Sequence, residues 1–298
     1  MTLLNRLVLH PSKGLLRGYA LANLIAQILI VLTGGVVRLT GSGLGCPTWP
    51  KCTDQSLVTV PEQGIHGIIE FANRSLTGAL VIIAGLVFLA ALGQPKPERA
   101  GLVLPAVLVV AGIFVQAVVG GASVWVKLNP WMVATHFLLS AILIVVASVL
   151  YWRTLAIEHE AVPYRVFALS PWLSLSGALA VVVGVLVTGA GPHAGDPGTP
   201  RNGFNLEVIE HWHSYPAYAT LGLALVLFFS LRRVSRDGSL RASRRVVVLL
   251  VATLLLQAVV GIWQARTGVP GSLVAVHMLL ASVLVSLLTL QQLAIRGK

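Results

Sequence analysis

The stretch QAVVGGASVWVKLNPWMVATHFLLSA, residues 116–141, returns later in the chain as QAVVGIWQARTGVPGSLVAVHMLLAS, residues 257–282. Aligned without a gap, both begin Gln-Ala-Val-Val-Gly and carry a His twenty residues after the Gln, with a Pro six or seven residues before that His. Apolar composition alone would align Val with Leu; it rarely aligns a Gln, a Gly and a His at the same offsets as well. The match reads as an internal repeat. Working outward, VIEHWHS at 208–214 lies over IIEFANR at 68–74, which pairs Glu210 with Glu70 and His213 with Asn73. A looser match sets VLVTGAGPHAGDP over VLTGGVVRLTGSGLGCP.

These motifs sit in a chain of 298 residues that is 56% hydrophobic and 10% charged, with mean hydropathy +0.86. That is the profile of an integral membrane protein and not of a soluble domain. Runs of about 20 apolar residues, the length that crosses a bilayer as helix, lie near 18–38, 65–92, 100–122, 131–152, 167–189, 207–231, 246–265 and 271–294. Four spans fall in each half. An even number makes both halves enter the membrane in the same orientation. The predicted fold is all-α, with eight transmembrane helices forming two four-helix bundles related by a pseudo-twofold along the membrane normal. The halves divide as 1–155 and 156–298.

The net charge of +11 does not mark a nucleic-acid binder, because the basic residues lie between spans and not in a basic module. They report topology. With a cytoplasmic N-terminus, the inner segments hold Arg6, Lys13, Arg17, Lys96, Arg99, Arg153, Arg165, Arg232, Arg233, Arg236, Arg241, Arg244, Arg245, Arg296 and Lys298, fifteen of the 21 Lys and Arg. The positive-inside rule then puts both termini in the cytoplasm and the loops 39–64, 123–130, 190–206 and 266–270 outside. No cleavable signal segment is expected before the first span. The two cysteines, Cys46 and Cys52, share the first outer loop, where an intraloop disulfide is the first reading and a pair of free thiols the alternative. A metal site would need a second ligand pair, which does not accompany them.

Spans two, four, six and eight all run inward, so residues equally far from their starts lie at similar depth. His136 follows Pro130 by six residues, His277 follows Pro270 by seven, and His213 lies two turns into its span. Each imidazole is thus about 10 Å below the outer end of its helix. One intramembrane His can be a hydrogen-bonding partner for a neighbouring helix. Repeat-related histidines at matched depth point instead to facing pairs, and two facing imidazoles are an axial pair for haem iron. The second half supplies His213 and His277 for a six-coordinate haem. The first half sets His136 opposite Asn73, so iron there has His136 alone or His136 with His66, which shares a face with Asn73 but sits about 10 Å higher. This asymmetry suggests a substrate site in the first half and a cofactor site in the second. His211, His193, His159 and His10 fall on other faces, in loops or at the inner face.

Glu70 and Arg74 stand four apart and can pair, which lowers the cost of carrying either within a span. A structural ion pair and a catalytic acid–base pair both fit. The second half keeps Glu210 but has Ser214 where Arg74 stands, so only the first half combines acid and base. Arg74, and Arg38 at the outer end of the first span, could hold carboxylates of a substrate; Arg38 could equally be an interfacial anchor.

The runs GGVVRLTGSGLGCPTWPKC, IEFANR, KLNPWMVATHFLLS, TGAGPHAGD and TGVPGSLVAVHMLLAS together resemble the haem A synthase family over residues 20–290. The resemblance implies a cell-membrane oxidoreductase that converts the C8 methyl of haem O to a formyl group by successive hydroxylations and loss of water. It implies haem b as cofactor on His213 and His277, and haem O held with the help of His136. It also implies Glu70 as the catalytic carboxylate and Cys46 and Cys52 as the family's outer-loop pair. Many members have His where this chain has Asn73, and a second outer cysteine pair of some members is absent. A haem O synthase is the expected partner, an electron partner is required but unnamed, and association of copies is compatible with the sequence. The competing functions are a dihaem electron-transfer cytochrome, which needs tight ligation in both halves, and a proton-coupled transporter, which needs polar residues continuing inward.

Overall fold

A computed structural model describes residues 8–155, 157, 160–234 and 240–297, with Arg296 and Gly297 described by backbone alone. His159, Arg6, Arg236 and Lys298, used above to read the inner face, lie outside the described residues.

Among the described residues, eight helices are long and apolar enough to cross a membrane, as expected of a multi-pass membrane protein. They are α1 (Lys13–Leu39), α2 (Gly64–Leu92), α3 (Lys96–Trp125), α4 (Pro130–Thr154), α5 (Leu169–Ala190), α6 (Leu206–Val234), α7 (Arg241–Arg266) and α8 (Gly271–Ala294). Several run beyond the apolar stretch that predicts them, because backbone hydrogen bonding continues until a cap or a breaker ends it. Ser12 Oγ caps α1 by accepting the Leu15 N–H at 3.2 Å. Asn129 caps α4 by accepting the Trp131 N–H at 3.0 Å, with Pro130 in the first turn. Pro105 and Pro216 lie inside α3 and α6 without ending them.

The chain forms two compact units, Met1–Leu155 with Gly191–Asn202, and Ala156–Ala190 with Gly203–Lys298. In the first, each helix packs against the next and α1 closes the ring on α4. In the second, α5 to α8 pack in the same cyclic order, with α5 closing on α8. The α3–α4 turn uses left-handed backbone at Lys127 and Leu128, and the α7–α8 turn uses it at Gly268 and Val269. Such tight turns force antiparallel neighbours and fix the offset between each Gln and the His across from it.

Leu16, Val87, Leu102 and Leu150 form part of the first core; Leu173, Leu227, Leu250 and Leu288 form part of the second. Large apolar side chains such as Ile82, Leu104, Phe229 and Leu256 stay on the surface, as lipid-facing helices require. The second unit also contains a short parallel strand pair, β1 (Glu160–Val162) with β2 (Ile295–Gly297). Beside it, the Glu160 carboxylate accepts the N–H groups of Ala242 and Ser243 at 3.0 and 2.9 Å. An anion there meets the positive end of α7.

Candidate functional site

In the first unit, Glu70 is 5% exposed although it carries a carboxylate. Its Oε2 accepts the Cys46 N–H at 2.6 Å. Its Oε1 accepts Arg74 Nε at 3.1 Å and also Arg74 Nη2. Arg74 continues outward to the loop backbone, donating through Nη2 to Cys46 O at 2.9 Å and through Nη1 to Thr48 O at 2.9 Å and Lys51 O at 3.3 Å. A guanidinium has five N–H groups, and these contacts occupy all of them. Arg74 is therefore a clamp between α2 and the loop; this geometry gives it no spare donor for a substrate carboxylate. A carboxylate offers about four lone-pair directions, so Glu70, with three donors, keeps one.

The loop that Arg74 grips is closed by a Cys46–Cys52 disulfide. Gln63, ahead of α2, fastens it from the other side: Nε2 donates to Gly45 O at 2.8 Å and Cys52 O at 3.3 Å, while Oε1 accepts the Val60 N–H at 3.0 Å. Trp49 stacks edge-on against Trp125 at 5.5 Å and lies against Gly121 of α3. Any Cβ at Gly121 would sit 2.3 Å from the Trp49 ring. The sequence marks the cysteines of this loop; it does not mark Gln63, whose role depends on backbone carbonyls that have no sequence signature.

His136 is half-buried on α4, with its ring against Gly120 of α3. Its Nδ1 and the Oδ1 of half-buried Asn73 are both buried without a hydrogen-bond partner. His66 is exposed, and its Nδ1 pairs with Ser42 Oγ at 2.9 Å. Arg38, half-buried at the end of α1, donates from Nε to His193 O at 2.6 Å. Arg201, a residue the sequence reading passed over, donates from Nη2 to Pro192 O at 2.5 Å and from Nη1 to Thr199 O at 3.0 Å. The two guanidiniums thus grip consecutive carbonyls of one loop, Gly191–Asn202, which packs within this unit through Gly43 N–H on Gly195 O at 2.8 Å.

In the second unit, His213 and His277 face each other with ring centroids 6.3 Å apart and planes at 71°. Two imidazoles in line on one metal, each with a bond of about 2 Å, hold their ring centres roughly 6 Å apart. The pair therefore fits an axial ligand set. His213 Nδ1 is paired with Ala180 O at 2.9 Å, which leaves Nε2 as the lone-pair nitrogen. His277 Nδ1 is buried without a partner. Gly184 and Gly261 lie flat against these rings: an added Cβ would come within 3.0 Å of His213 Cε1 and 3.1 Å of His277 Cε1. Among the weaker candidates, His211 Nδ1 pairs with Glu207 O of its own helix at 2.7 Å, and His10 Nδ1 pairs with Gly93 O at 3.0 Å.

The protein is 28% identical to "Heme A synthase" of Listeria monocytogenes over 297 residues, covering 93% of this chain and 94% of that protein. The same values hold for "Heme A synthase" of Listeria welshimeri. A shorter likeness, 36% identity over 100 residues, joins 32% of this chain to 16% of "Protoheme IX farnesyltransferase" of Thermus thermophilus. The family model COX15-CtaA, described as "Cytochrome oxidase assembly protein", matches residues 17–198. With more than half of its length matched, the chain belongs to the COX15-CtaA family of cytochrome oxidase assembly proteins.

Proposed function

We propose that this protein is a haem A synthase, an oxidoreductase that takes haem O and converts its C8 methyl to a formyl group. The observation that carries this reading is the asymmetry of the two units: a facing imidazole pair in the second, and in the first an unmatched His136 with a buried Glu70. Full-length similarity to proteins named Heme A synthase supports it. An electron-transfer cytochrome would be served by two matched pairs.

His213 and His277 would hold haem b in the second unit, and that group would supply one-electron redox chemistry. Ala180 O fixes the His213 tautomer, and Gly184 and Gly261 leave the rings room to lie flat. The first unit receives haem O. His136 would hold the substrate iron, and Asn73, a poor ligand, would add little to that hold, so that product can depart.

Glu70 is the catalytic carboxylate. Its remaining lone pair accepts the proton lost as a methyl C–H bond breaks, or orients water against the positive charge that develops at that carbon. Each oxidation replaces a C–H bond by C–OH, with water supplying the oxygen, and releases two protons and two electrons, the electrons leaving to a membrane electron acceptor outside this chain. Two such oxidations give a geminal diol, and expulsion of water leaves the aldehyde. Arg74 and the Cys46 N–H hold the carboxylate in place, and in this reading Arg74 positions the disulfide loop in place of binding propionates. Arg38 and Arg201 take the propionates. With the positive-inside orientation, both haem sites lie toward the outer side of the cell membrane. The likeness within a protoheme IX farnesyltransferase supports a partner that makes the substrate and passes it on directly; co-purification of the two in mild detergent tests this, and consistent separation argues against it.

The activity is tested in a host that makes haem O and no haem A. Expression of this chain should produce haem A or its hydroxylated precursor among extracted haems, resolved by mass. Unchanged haem O alongside folded, haem-loaded protein would favour the cytochrome.

A further inference from the structure

Gln116 and Gln257 have no part in the reaction described above, yet they make the same contact in both units. Each Nε2 crosses to the next helix and donates to the backbone carbonyl of the His twenty residues on, His136 at 3.0 Å and His277 at 3.2 Å. Each Oε1 is buried without a partner, and so is the Nδ1 of each of those histidines. Both units therefore carry a buried acceptor and a buried imidazole nitrogen, unsatisfied, on side chains already joined through the His carbonyl. His213 lacks this vacancy because Ala180 O meets its Nδ1.

Helix geometry keeps the two groups close. Gly120 and Gly261, which touch the imidazoles, follow Gln116 and Gln257 by four residues. Each Gln is thus about 6 Å along the same face from the residue under the ring. Unpaired buried donors and acceptors are costly, and a metal-bound His nearly always gives its second N–H to an oxygen.

We propose that Gln116 and Gln257 are positioning residues whose Oε1 accepts the Nδ1–H of His136 and His277 when Nε2 of each binds haem iron. The amide serves both bonds at once, donating to the His carbonyl and accepting from the His ring. The acceptor raises the basicity of the ligand and sets the ring plane. The inference rests on haem ligation by His136 and His277 as proposed above.

The test uses the purified, haem-loaded protein and its Gln257→Leu and Gln257→Glu variants, reading haem retention and the midpoint potential of the bis-His haem. Leu removes the acceptor: retention should weaken about 10–100-fold and the potential should rise. Glu keeps an acceptor but loses the amide donor, so its potential should stay at or below the wild-type value. A rise of equal size in both variants would assign Gln257 to helix packing alone and overturn the proposal, as would no rise with Leu. Should Gln257→Leu not fold, the Glu variant decides by itself: a raised potential overturns the proposal. Absence of bis-His haem from the wild-type protein would instead sink the ligation reading beneath it.

Discussion

The two units close their four helices in the same order, and the polar residues at the candidate sites are among the positions that differ between them. Where the second has His213, the first has Asn73; where the second has Ser214, the first has Arg74. Ser214 bonds back to Glu210 O of its own helix at 3.0 Å, whereas Arg74 bonds Glu70 and also donates directly to three loop carbonyls. Glu210 is half-buried and holds no loop among the described residues, and Glu70 is buried beneath a disulfide-closed loop. On the proposed function, one bundle keeps a haem and the other processes one. The choice rests on a few side chains at one end.

The strongest way to break this comparison is at Glu70. Glu70→Gln should lower turnover at least about 100-fold while the absorption spectrum of the bis-His haem stays unchanged; wild-type turnover would remove Glu70 from the chemistry. Asn73→His sharpens it, because it gives the first unit the second unit's ligand. That variant should show a second six-coordinate, low-spin haem by electron paramagnetic resonance and should release product more slowly. An unchanged spectrum would place residue 73 away from the iron.

Arg74→Lys keeps the charge but loses the fork that holds several carbonyls, an expected cost of roughly 1–3 kcal/mol at the loop. The loop should then be cut faster by protease, and activity should fall several-fold. Equal cutting rates would contradict the clamp. Arg201→Gln tests the exposed edge and should have the smallest effect, raising the KM for haem O by no more than about fivefold, with kcat kept. It should have no effect on a haem substrate whose propionates are esterified. An equal effect on both substrates would detach Arg201 from the propionates.

The spans and the candidate ligands were legible in the sequence for a physical reason. A bilayer demands runs of about 20 apolar residues, and a His inside such a run is conspicuous because burial of polar groups is costly. The constant twenty-residue offset from Gln116 and Gln257 then puts His136 and His277 at matched positions. The loop architecture was not legible. Gln63, Arg74 and Arg201 act on backbone carbonyls, and the sequence shows the donor without showing which carbonyl folds back to meet it. The packing of Gly191–Asn202 within the first unit depends on such bonds, as does the pairing of Glu160–Val162 with Ile295–Gly297, strands too short to leave a periodic pattern. The Gln116 and Gln257 signal was visible as a repeat, but its meaning needed the contact across the helix pair.

The central claim is that one unit keeps its haem and the other turns its haem over. The most direct measurement is mass-resolved chromatography of haems extracted from purified His136→Ala and His277→Ala variants made in a host supplying both haem B and haem O. The account predicts that His136→Ala keeps haem B and loses the farnesylated haems, while His277→Ala loses haem B. Both variants losing the same haem, or each keeping the haem assigned to the altered unit, would contradict it.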